Sequence, residues 1–505
     1  MNTKIYKFSE EFSKILYEKK DRIAFIDYIH ETNISYSELE NLIQKLNKYI
    51  ERDNNKESIV SLLPNSVETL VVFLSSAYFG HSFSPIEGDV PINAIKDWIE
   101  LTRPTLIFIP NTINIEVLSY LEKLKIRIIQ INIDGKFSWL NSIEDYATPD
   151  SSNSMLYIKT SGSTGEPKAM AININKLYSS GRAFVEFHND IINESSRFYN
   201  ILPTSYLGGL FNLCLIPLVK GGSVVVDQSF SGKSFLGFWN NIERFEINII
   251  WIVPTILKGL LQLSGRLSLD DLKENYLNVK ACFLGTAPID QENKEKFEKI
   301  FKIPILENYG ISETTFISTE TYLNNTRAKS GVGKLLPYLD LKFLKIEEMD
   351  YSEILVKSPF IFDGYLGKDQ QVDEGLDDEG YFHSGDLGHL NSDNLLIIDG
   401  RNRDIIKKGG HIVSLKEIEL LSSKNKLIDE AVCVKVPHDF YIESYIIFIK
   451  LIPGQEGIEE FGTWLRNNLV KYKWPEQIVE VPLIPKTNSG KVQKHLLINN
   501  VIAEK

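Results

Sequence analysis

Residues Tyr157–Met170 have the sequence YIKTSGSTGEPKAM, and the rest of the chain is organised around them. The apolar approach Met155–Ile158 is typical of a short buried strand, and it leads into four hydroxyl residues, two glycines and a lysine. Glycines let backbone N–H groups approach an anion, hydroxyls donate hydrogen bonds and lysine adds positive charge. The pattern therefore favours a phosphate-binding loop over a flexible Ser/Gly linker. The loop residues are Thr160, Ser161, Gly162, Ser163, Thr164, Gly165 and Lys168.

Two common nucleotide signatures are missing from the sequence. No Gly-Lys-Ser/Thr follows the loop at the spacing of a Walker A motif. The string Gly331-Val332-Gly333 continues to Leu336, where a dinucleotide-binding turn would need a third glycine. The loop is thus neither a P-loop of the usual kind nor part of a Rossmann fingerprint.

Length and charge narrow the class of protein. A chain of 505 residues is too long for one core, so several domains are expected. The net charge of −12 argues against a general nucleic-acid or anionic-membrane binder. The longest apolar runs, Leu70–Phe79 and Leu210–Val219, are too short to span a bilayer. The charged N-terminus does not resemble a signal peptide. We therefore expect no nucleic-acid partner and no membrane insertion.

The cysteines favour a reducing compartment. Three cysteines lie far apart, each inside an apolar run, which is typical of reduced core residues rather than of disulfides or a metal site. They are Cys214, Cys282 and Cys433. This usage predicts a cytoplasmic protein.

Strand and helix patterns alternate through the first three hundred residues, which predicts a parallel α/β sheet. Ser37–Ile50, for example, predicts an amphipathic helix that begins at Ser37. Several predicted strands end in Gly/Ser/Thr/Pro loops, among them Ile305–Tyr309 before Gly310. Ligands bind at that edge of an open α/β sheet. Leu210–Val219 predicts a buried helix.

The pattern changes near Gly331. Short alternating strands there predict a small β subdomain, and the charged, glycine-flanked Gly400–Gly410 predicts an exposed linker or hinge. A compact α/β set follows, large enough for a separate small domain.

Four further motifs carry a family resemblance. They are NYGISET at Asn308–Thr314, YFHSGDL at Tyr381–Leu387, GRNRD at Gly400–Asp404 and PKTNSGK at Pro485–Lys491. With the loop, and in this order, they resemble the superfamily of ATP-dependent acyl-adenylating enzymes, which includes acyl-CoA synthetases, aryl-CoA ligases, peptide-synthetase adenylation domains and firefly luciferase. The resemblance covers essentially the whole chain. Ser312 and Ser384 replace the threonines usual in the family and keep a hydroxyl.

The resemblance implies a fold and two domains. The expected fold is α/β, with a large N-terminal domain of stacked α/β subdomains plus a small β subdomain, followed by a small mobile α+β C-terminal lid domain. We place the AMP-binding (adenylation) domain at residues 1–402 and the lid at 403–505. Arg403 lies at the family's hinge position.

The resemblance also assigns the nucleotide site. The loop would wrap the β- and γ-phosphates of ATP, Glu313 would hold Mg²⁺ and Tyr309 would lie on the adenine face. Asp386 would accept both ribose hydroxyls, and Arg401 would contact ribose or phosphate. Further contacts are expected from Gly285, Thr286, Ala287, Asn308, Gly310 and Ser312. The expected catalytic residues are Lys491, Glu313 and Thr164.

The acid pocket is expected around Tyr206, Leu207, Gly208, Gly209 and Trp251. Adenylation domains for α-amino acids carry an aspartate near this segment to pair with the ammonium. Here Pro203–Asn212 contains no acidic residue, and an unpaired buried ammonium is costly, so an α-amino acid is disfavoured. Many acyl-CoA and aryl-CoA ligases have histidine where Tyr206 stands, which leaves the substrate class open.

The resemblance predicts an acid–thiol ligase. ATP would activate a carboxylic acid to an acyl-adenylate with release of pyrophosphate, and a thiol would then accept the acyl group. Coenzyme A is the favoured acceptor. The alternative is a stand-alone adenylation enzyme that loads the phosphopantetheine arm of a separate acyl carrier protein. A luciferase-type oxidoreductase is a further, less favoured alternative.

Overall fold

Helices and strands of the computed structural model follow the predicted alternation. The structure describes residues 4–51, 55–87, 90–137, 139–140, 147–161, 167–264, 278–286, 289, 291–322, 331–346, 351–367, 371–408, 411–438, 440–487 and 492–502. Contacts divide the chain into two units. The larger unit comprises Met1–Lys329, Gly333–Asp340 and Lys357–Gly380; the smaller comprises Ser330–Val332, Leu341–Val356 and Tyr381–Lys505.

The regular elements are numbered in chain order within the described residues. The strands are β1 (Ile23–Asp27), β2 (Thr32–Ser35), β3 (Ser58–Ser61), β4 (Ser82–Pro85), β5 (Leu106–Pro110), β6 (Arg127–Ile131), β7 (Met155–Ser161), β8 (Pro167–Asn173), β9 (Arg197–Asn200), β10 (Ser223–Val226), β11 (Ile249–Ile252), β12 (Ala281–Leu284), β13 (Ile305–Ile311), β14 (Thr315–Thr319), β15 (Lys334–Leu335), β16 (Asp340–Lys345), β17 (Ser352–Lys357), β18 (Gly364–Leu366), β19 (Val372–Asp373), β20 (Phe382–Leu390), β21 (Leu396–Arg401), β22 (Ile405–Lys408), β23 (His411–Ser414), β24 (Ile428–His438), β25 (Ile442–Leu451) and β26 (Gln477–Glu480). The α-helices are α1 (Phe8–Glu18), α2 (Tyr36–Ile50), α3 (Val67–Phe79), α4 (Ile92–Thr102), α5 (Ile115–Leu121), α6 (Ile174–Phe187), α7 (Ile216–Leu218), α8 (Ser234–Arg244), α9 (Pro254–Ser264), α10 (Gln291–Phe301), α11 (Leu415–Ser422), α12 (Ile458–Asn468) and α13 (Lys494–Ile502). A π-helix covers Gly208–Leu215, and 3₁₀ turns cover Asn402–Asp404 and Lys471–Lys473.

Two sheets build the larger unit. One has the order β15-β14-β13-β12-β11-β9-β10-β1-β2, and the other β19-β18-β8-β7-β4-β3-β5-β6. Their central strands pair in parallel, as an α/β fold requires, and antiparallel hairpins lie toward the edges. Every residue of α3 is buried, and this helix contacts β4 of one sheet and the π-helix that packs on β9 of the other. The predicted stacked α/β subdomains are therefore confirmed.

The smaller unit contains the predicted β subdomain and the C-terminal α/β set. The β subdomain is a sheet of order β16-β17-β20-β21. The second sheet has the order β23-β22-β25-β24, with β26 parallel to β25. Its core includes Ile406, Tyr445 and Ile447, against which Phe461 and Leu465 of α12 pack.

Two local predictions are corrected, and a third is made more specific. Helix α2 begins one residue earlier than predicted, because its N-cap is Ser35 and not Ser37. The Ser35 side chain accepts from the Glu38 backbone N–H in a capping box. The predicted buried helix at Leu210–Val219 is confirmed, and most of its length is π-helical. The segment predicted as an exposed linker is largely regular structure: it includes the end of β21, a 3₁₀ turn and all of β22, where Ile406 is fully buried.

The described residues also bear on the membrane-spanning potential of the helices and on the state of the cysteines. No helix within the described ranges combines the length and apolar character needed to cross a bilayer. The three cysteines are buried and unpaired, as predicted.

Candidate active site

The Gly/Ser/Thr loop after Tyr157 is held at its base by a β-hairpin. Strands β7 and β8 pair in antiparallel register, with Thr160 opposite Lys168 and Ser161 opposite Pro167. The predicted loop is therefore a connection between two paired strands. Gly162, Ser163, Thr164 and Gly165 lie outside the described residues, as do the side chains of Thr160 and Ser161.

Lys168 and Glu313, which lie in different motifs, meet at Tyr365. The Tyr365 hydroxyl donates to Glu313 Oε1 at 2.5 Å. The Lys168 ammonium lies 5.1 Å from the centre of the same tyrosine ring. Burial and the adjacent Glu313 carboxylate both raise the pKa of Tyr365, so its hydroxyl stays a neutral donor near neutral pH. The structure thus joins the predicted phosphate-loop lysine and the predicted metal ligand through one aromatic side chain.

The tyrosine-glycine motif occupies a strand rather than the loop after a strand. Strand β13 continues through Tyr309 and Gly310 to Ile311 and pairs antiparallel with β14. A Cβ on Gly310 would collide with the backbone of Thr315, so glycine allows this close pairing where the sequence predicted a strand end. Ser312 and Glu313 lie in the short turn between the strands.

Asn308 on β13 lies beside Gly285, which directly follows the neighbouring strand β12. A Cβ on Gly285 would lie 2.5 Å from Asn308 Oδ1. Asn308 Nδ2 is buried and has no hydrogen-bond partner within the described part of the chain. Thr286 has φ +75°, a left-handed conformation that is costly for a β-branched residue. Ala287 lies outside the described residues.

The predicted acid pocket has a tightly fitted glycine pair. The Tyr206 ring covers Gly208, where a Cβ would lie 2.5 Å from the tyrosine Cε2. A Cβ on Gly209 would lie 2.5 Å from the Pro203 carbonyl oxygen. The Tyr206 hydroxyl is buried and lacks a hydrogen-bond partner among the residues described, and burial raises its pKa. Leu207 is buried beside them.

Trp251 lies in an aromatic cluster on β11. Its ring is 2% exposed and lies 4.9 Å from the Phe283 ring and 5.4 Å from the Phe184 ring. Phe316 of β14 packs against the same indole at 5.7 Å. The indole therefore belongs to a packed aromatic wall, and its contact with an acid remains a prediction.

Asp386 and Arg401, predicted to bind the nucleotide, contact each other in the smaller unit. They are direct partners in the antiparallel pair β20–β21, and Arg401 Nε lies 2.8 Å from Asp386 Oδ1. Ser384, which replaces the family threonine, accepts from the Asp386 backbone N–H at 3.0 Å. Glu353 accepts from the Gly385 N–H at 3.0 Å. Sequence analysis did not find Glu353 or Tyr365, because each acts across strands far apart in the chain.

Backbone pairing joins the start of the PKTNSGK motif to the residues that follow it. Lys486 and Val492 form an antiparallel bridge, and the Gln493 N–H donates to the Pro485 carbonyl at 2.8 Å. Lys491 itself lies outside the described residues.

The predicted hinge lies beside an ion pair. Arg403 belongs to the 3₁₀ turn Asn402–Asp404, and its side chain is outside the described set. Lys494 Nζ contacts Asp404 Oδ1 at 2.8 Å, which links the start of α13 to this turn.

Two family models match this chain. The family described as AMP-binding enzyme matches residues 12–366, and the AMP-binding enzyme C-terminal domain matches residues 417–491. An oxalate–CoA ligase of Saccharomyces cerevisiae is 26% identical over 72% of this chain, and the match covers 66% of that protein. An oxalate–CoA ligase of Arabidopsis thaliana is 24% identical over 93% of this chain and 94% of its own length.

A solved structure shares the fold. The crystal structure of ATP-bound MatB from Rhodopseudomonas palustris superposes with a TM-score of 0.86 at 23% identity, over 97% of this chain and 98% of MatB. At that identity the likeness establishes the fold alone. It confirms a mixed α/β architecture with a large N-terminal and a small C-terminal part.

Proposed function

The chain belongs to the family of AMP-binding enzymes, and we propose that it activates a carboxylic acid with ATP and transfers the acyl group to coenzyme A. The observation that carries the proposal is the meeting of Lys168 and Glu313 at Tyr365. A cation and a carboxylate from motifs far apart in sequence thus lie at the base of a Gly/Ser/Thr loop. This is the composition that a polyphosphate and its cation require.

Glu313 fits the requirements of a magnesium ligand. Its Oε1 accepts from Tyr365, and its Oε2 makes no hydrogen bond or ion pair to any described residue. Mg²⁺ prefers hard oxygens and is commonly held by one or two carboxylates together with substrate phosphates. Glu313 would therefore hold Mg²⁺ against the phosphates, where the ion would offset their negative charge.

The first reaction joins two anions, so charge must be neutralised before bond formation. A carboxylate oxygen attacks the α-phosphorus of ATP, the bond to the bridging oxygen breaks and pyrophosphate leaves. Lys168 would hold the departing phosphates together with the loop N–H groups. Lys491 would bridge the substrate carboxylate and the α-phosphate. Positioning and electrostatic stabilisation supply most of the catalysis in this chemistry.

The second reaction transfers the acyl group. A thiolate attacks the acyl carbon, the carbon–oxygen bond to the phosphate breaks and AMP leaves. Coenzyme A is the proposed acceptor because relatives that match this chain are named CoA ligases. A separate acyl carrier protein is the alternative acceptor.

The acid is proposed to be small and to lack an ammonium group. Pro203–Asn212 contains no carboxylate to pair with an ammonium. The Tyr206 hydroxyl is buried without a described partner, so it is available to an acceptor atom of the acid. The oxalate–CoA ligases among the relatives favour testing short acids with a second acidic group.

A lid that rotates about Arg403 is part of the proposal. The turn Asn402–Asp404 separates β21 of the four-stranded sheet from β22 of the next sheet, which supports a boundary between residues 402 and 403. Lid closure would exclude water from the reactive adenylate. A cytoplasmic location is also proposed, from the cysteine usage.

The test is pyrophosphate release across a panel of acids, with and without coenzyme A. The panel holds oxalate, malonate, benzoate, octanoate and alanine, and reactions without acid give the background. Acid-dependent pyrophosphate together with a CoA thioester supports the proposal. Adenylate without thioester would favour a carrier protein. Absence of acid-dependent pyrophosphate with every acid, despite ATP binding, would contradict adenylation of these acid classes.

A further inference from the structure

Tyr365 belongs to none of the motifs that marked the site. It lies on β18, which pairs antiparallel with β8, so that Tyr365 is opposite Met170 and Leu366 is opposite Ala169. Its hydroxyl contacts Glu313 Oε1 and its ring faces Lys168 Nζ. One side chain therefore contacts two residues that the proposed function assigns to the phosphates and their cation.

Close packing and a backbone hydrogen bond restrain the chain on the N-terminal side of Tyr365. Gly364 has φ +131°, and a Cβ there would lie 2.5 Å from the Asp373 carbonyl oxygen on β19. The Phe362 N–H donates to the Glu313 carbonyl at 2.8 Å, so the segment before β18 also holds the Glu313 backbone. Because both the backbone and one carboxylate oxygen of Glu313 are held, the direction of its other oxygen is restricted.

We propose that Tyr365 is a positioning residue, whose hydroxyl orients the Glu313 carboxylate for a divalent cation and whose ring holds Lys168 toward the phosphates. The inference rests on the proposed function, because it assumes that Mg²⁺ and ATP bind at Glu313. A hydrogen bond from a neutral hydroxyl to a carboxylate is strong and directional. It fixes Oε1 and leaves Oε2 for the cation.

Two substitutions separate the contribution of the Tyr365 hydroxyl from that of its ring. Tyr365→Phe removes the bond to Glu313 and keeps the ring beside Lys168. Tyr365→Leu removes both. A matched control is Tyr36→Phe in the same unit, which removes a buried hydroxyl that donates to the Gly222 carbonyl at 2.7 Å. The control measures the effect of losing a buried tyrosine hydroxyl elsewhere.

The first readout is cation binding without catalysis. Mn²⁺ affinity is measured by electron paramagnetic resonance on the full chain with a non-cleavable ATP analogue. We expect Tyr365→Phe to weaken Mn²⁺ binding about 10- to 100-fold, which matches the loss of one hydrogen bond to a charged group. We expect saturating Mg²⁺ to restore most of the pyrophosphate-exchange rate. Tyr365→Leu should also raise the KM for ATP, and Tyr36→Phe should change neither quantity.

A double-mutant cycle tests whether Tyr365 acts through Glu313. If it does, adding Tyr365→Phe to Glu313→Gln produces no further loss of Mn²⁺ affinity. Additive losses would overturn the inference, as would unchanged Mn²⁺ affinity in Tyr365→Phe or equal losses in Tyr36→Phe. If the wild-type chain exchanges pyrophosphate but Tyr365→Phe binds Mn²⁺ normally, only this inference fails. If the wild-type chain binds neither Mn²⁺ nor the ATP analogue, the proposed function fails instead.

Discussion

Arg401 Nε lies 2.8 Å from Asp386 Oδ1, and the two residues are direct cross-strand partners on β20 and β21. Asp386 is 2% exposed, whereas the Arg401 side chain remains partly open to solvent. The buried Asp386 carboxylate is thus oriented by the Arg401 guanidinium, which itself reaches the surface. For a group proposed to accept from a ribose diol, this contact fixes the direction of the carboxylate oxygens.

Asp386→Asn should raise the KM for ATP about 10- to 100-fold, because a hydrogen bond to a charged acceptor typically contributes about 1.5–3 kcal/mol. ATP binding is measured by calorimetry and by pyrophosphate exchange. Asp399→Asn is the matched control, since Asp399 lies on the paired strand β21 and accepts instead from His389 Nδ1 at 2.8 Å. Equal effects of the two substitutions would contradict a specific role for Asp386.

A buried ion triad supports the strand that carries Asn308 and Tyr309. Lys294 Nζ lies 2.8 Å from Glu307 Oε1 and 2.7 Å from Glu320 Oε2, and the Glu307 N–H donates to Glu320 Oε2 at 2.9 Å. Burial raises the pKa of Glu320 from 4.5 to about 7, despite the Lys294 ammonium, and it also raises the pKa of Glu307. A raised carboxyl pKa stabilises the fold at low pH, and this contribution is lost as pH rises from about 4.5 to about 7.

Lys294→Met should lower the free energy of unfolding by about 3–5 kcal/mol at pH 8, because two carboxylates stay buried without their cation. The loss should be smaller at pH 5.5, where the carboxyls can hold protons. Thermal unfolding at both pH values checks this. Lys296→Met, at an exposed position on the same helix, should have little effect at either pH. A loss that is the same at both pH values would contradict the assignment.

Tyr206→Phe should raise the KM for the acid about 3- to 10-fold and leave the KM for ATP unchanged. The hydroxyl is buried without a described partner, so its removal breaks no known bond in the free protein and should not lower stability. Tyr199→Phe is the contrasting variant, because that hydroxyl donates to Asp227 Oδ2 at 2.7 Å. It should lower the melting temperature and leave the acid KM unchanged. An unchanged acid KM in Tyr206→Phe would place the hydroxyl outside the acid site.

The sequence predicted the fold class well because periodicity and turn chemistry are local. Alternating apolar segments gave the stacked α/β layers, and the loss of helical pattern near Gly331 gave the β subdomain. The cap of α2 was misplaced because Ser35 and Ser37 are both acceptable caps, and only the reciprocal bond with Glu38 decides between them.

Contacts between distant strands could not be predicted in this way. Tyr365 and Glu313 are 52 residues apart, and their hydrogen bond depends on how β18 pairs with β8. The charged segment after Gly400 suggested a linker. Ile406 within that segment is nevertheless fully buried and belongs to the hydrophobic core of the five-stranded sheet. Charge on neighbouring residues concealed a strand in which Ile405, Ile406 and Lys408 are all buried.

Lys491→Ala should lower the rate of adenylate formation about 100- to 1,000-fold while ATP binding largely persists, because its charge is needed where the carboxylate meets the α-phosphate. Lys486→Ala is the matched control in the same PKTNSGK motif, since Lys486 pairs with Glu430 Oε1 at 2.7 Å. The control should retain most of the adenylation rate. Acid-dependent pyrophosphate exchange measures the first step, and transfer from preformed acyl-adenylate to coenzyme A measures the second. An adenylation rate near that of the wild-type chain would remove Lys491 from the first reaction.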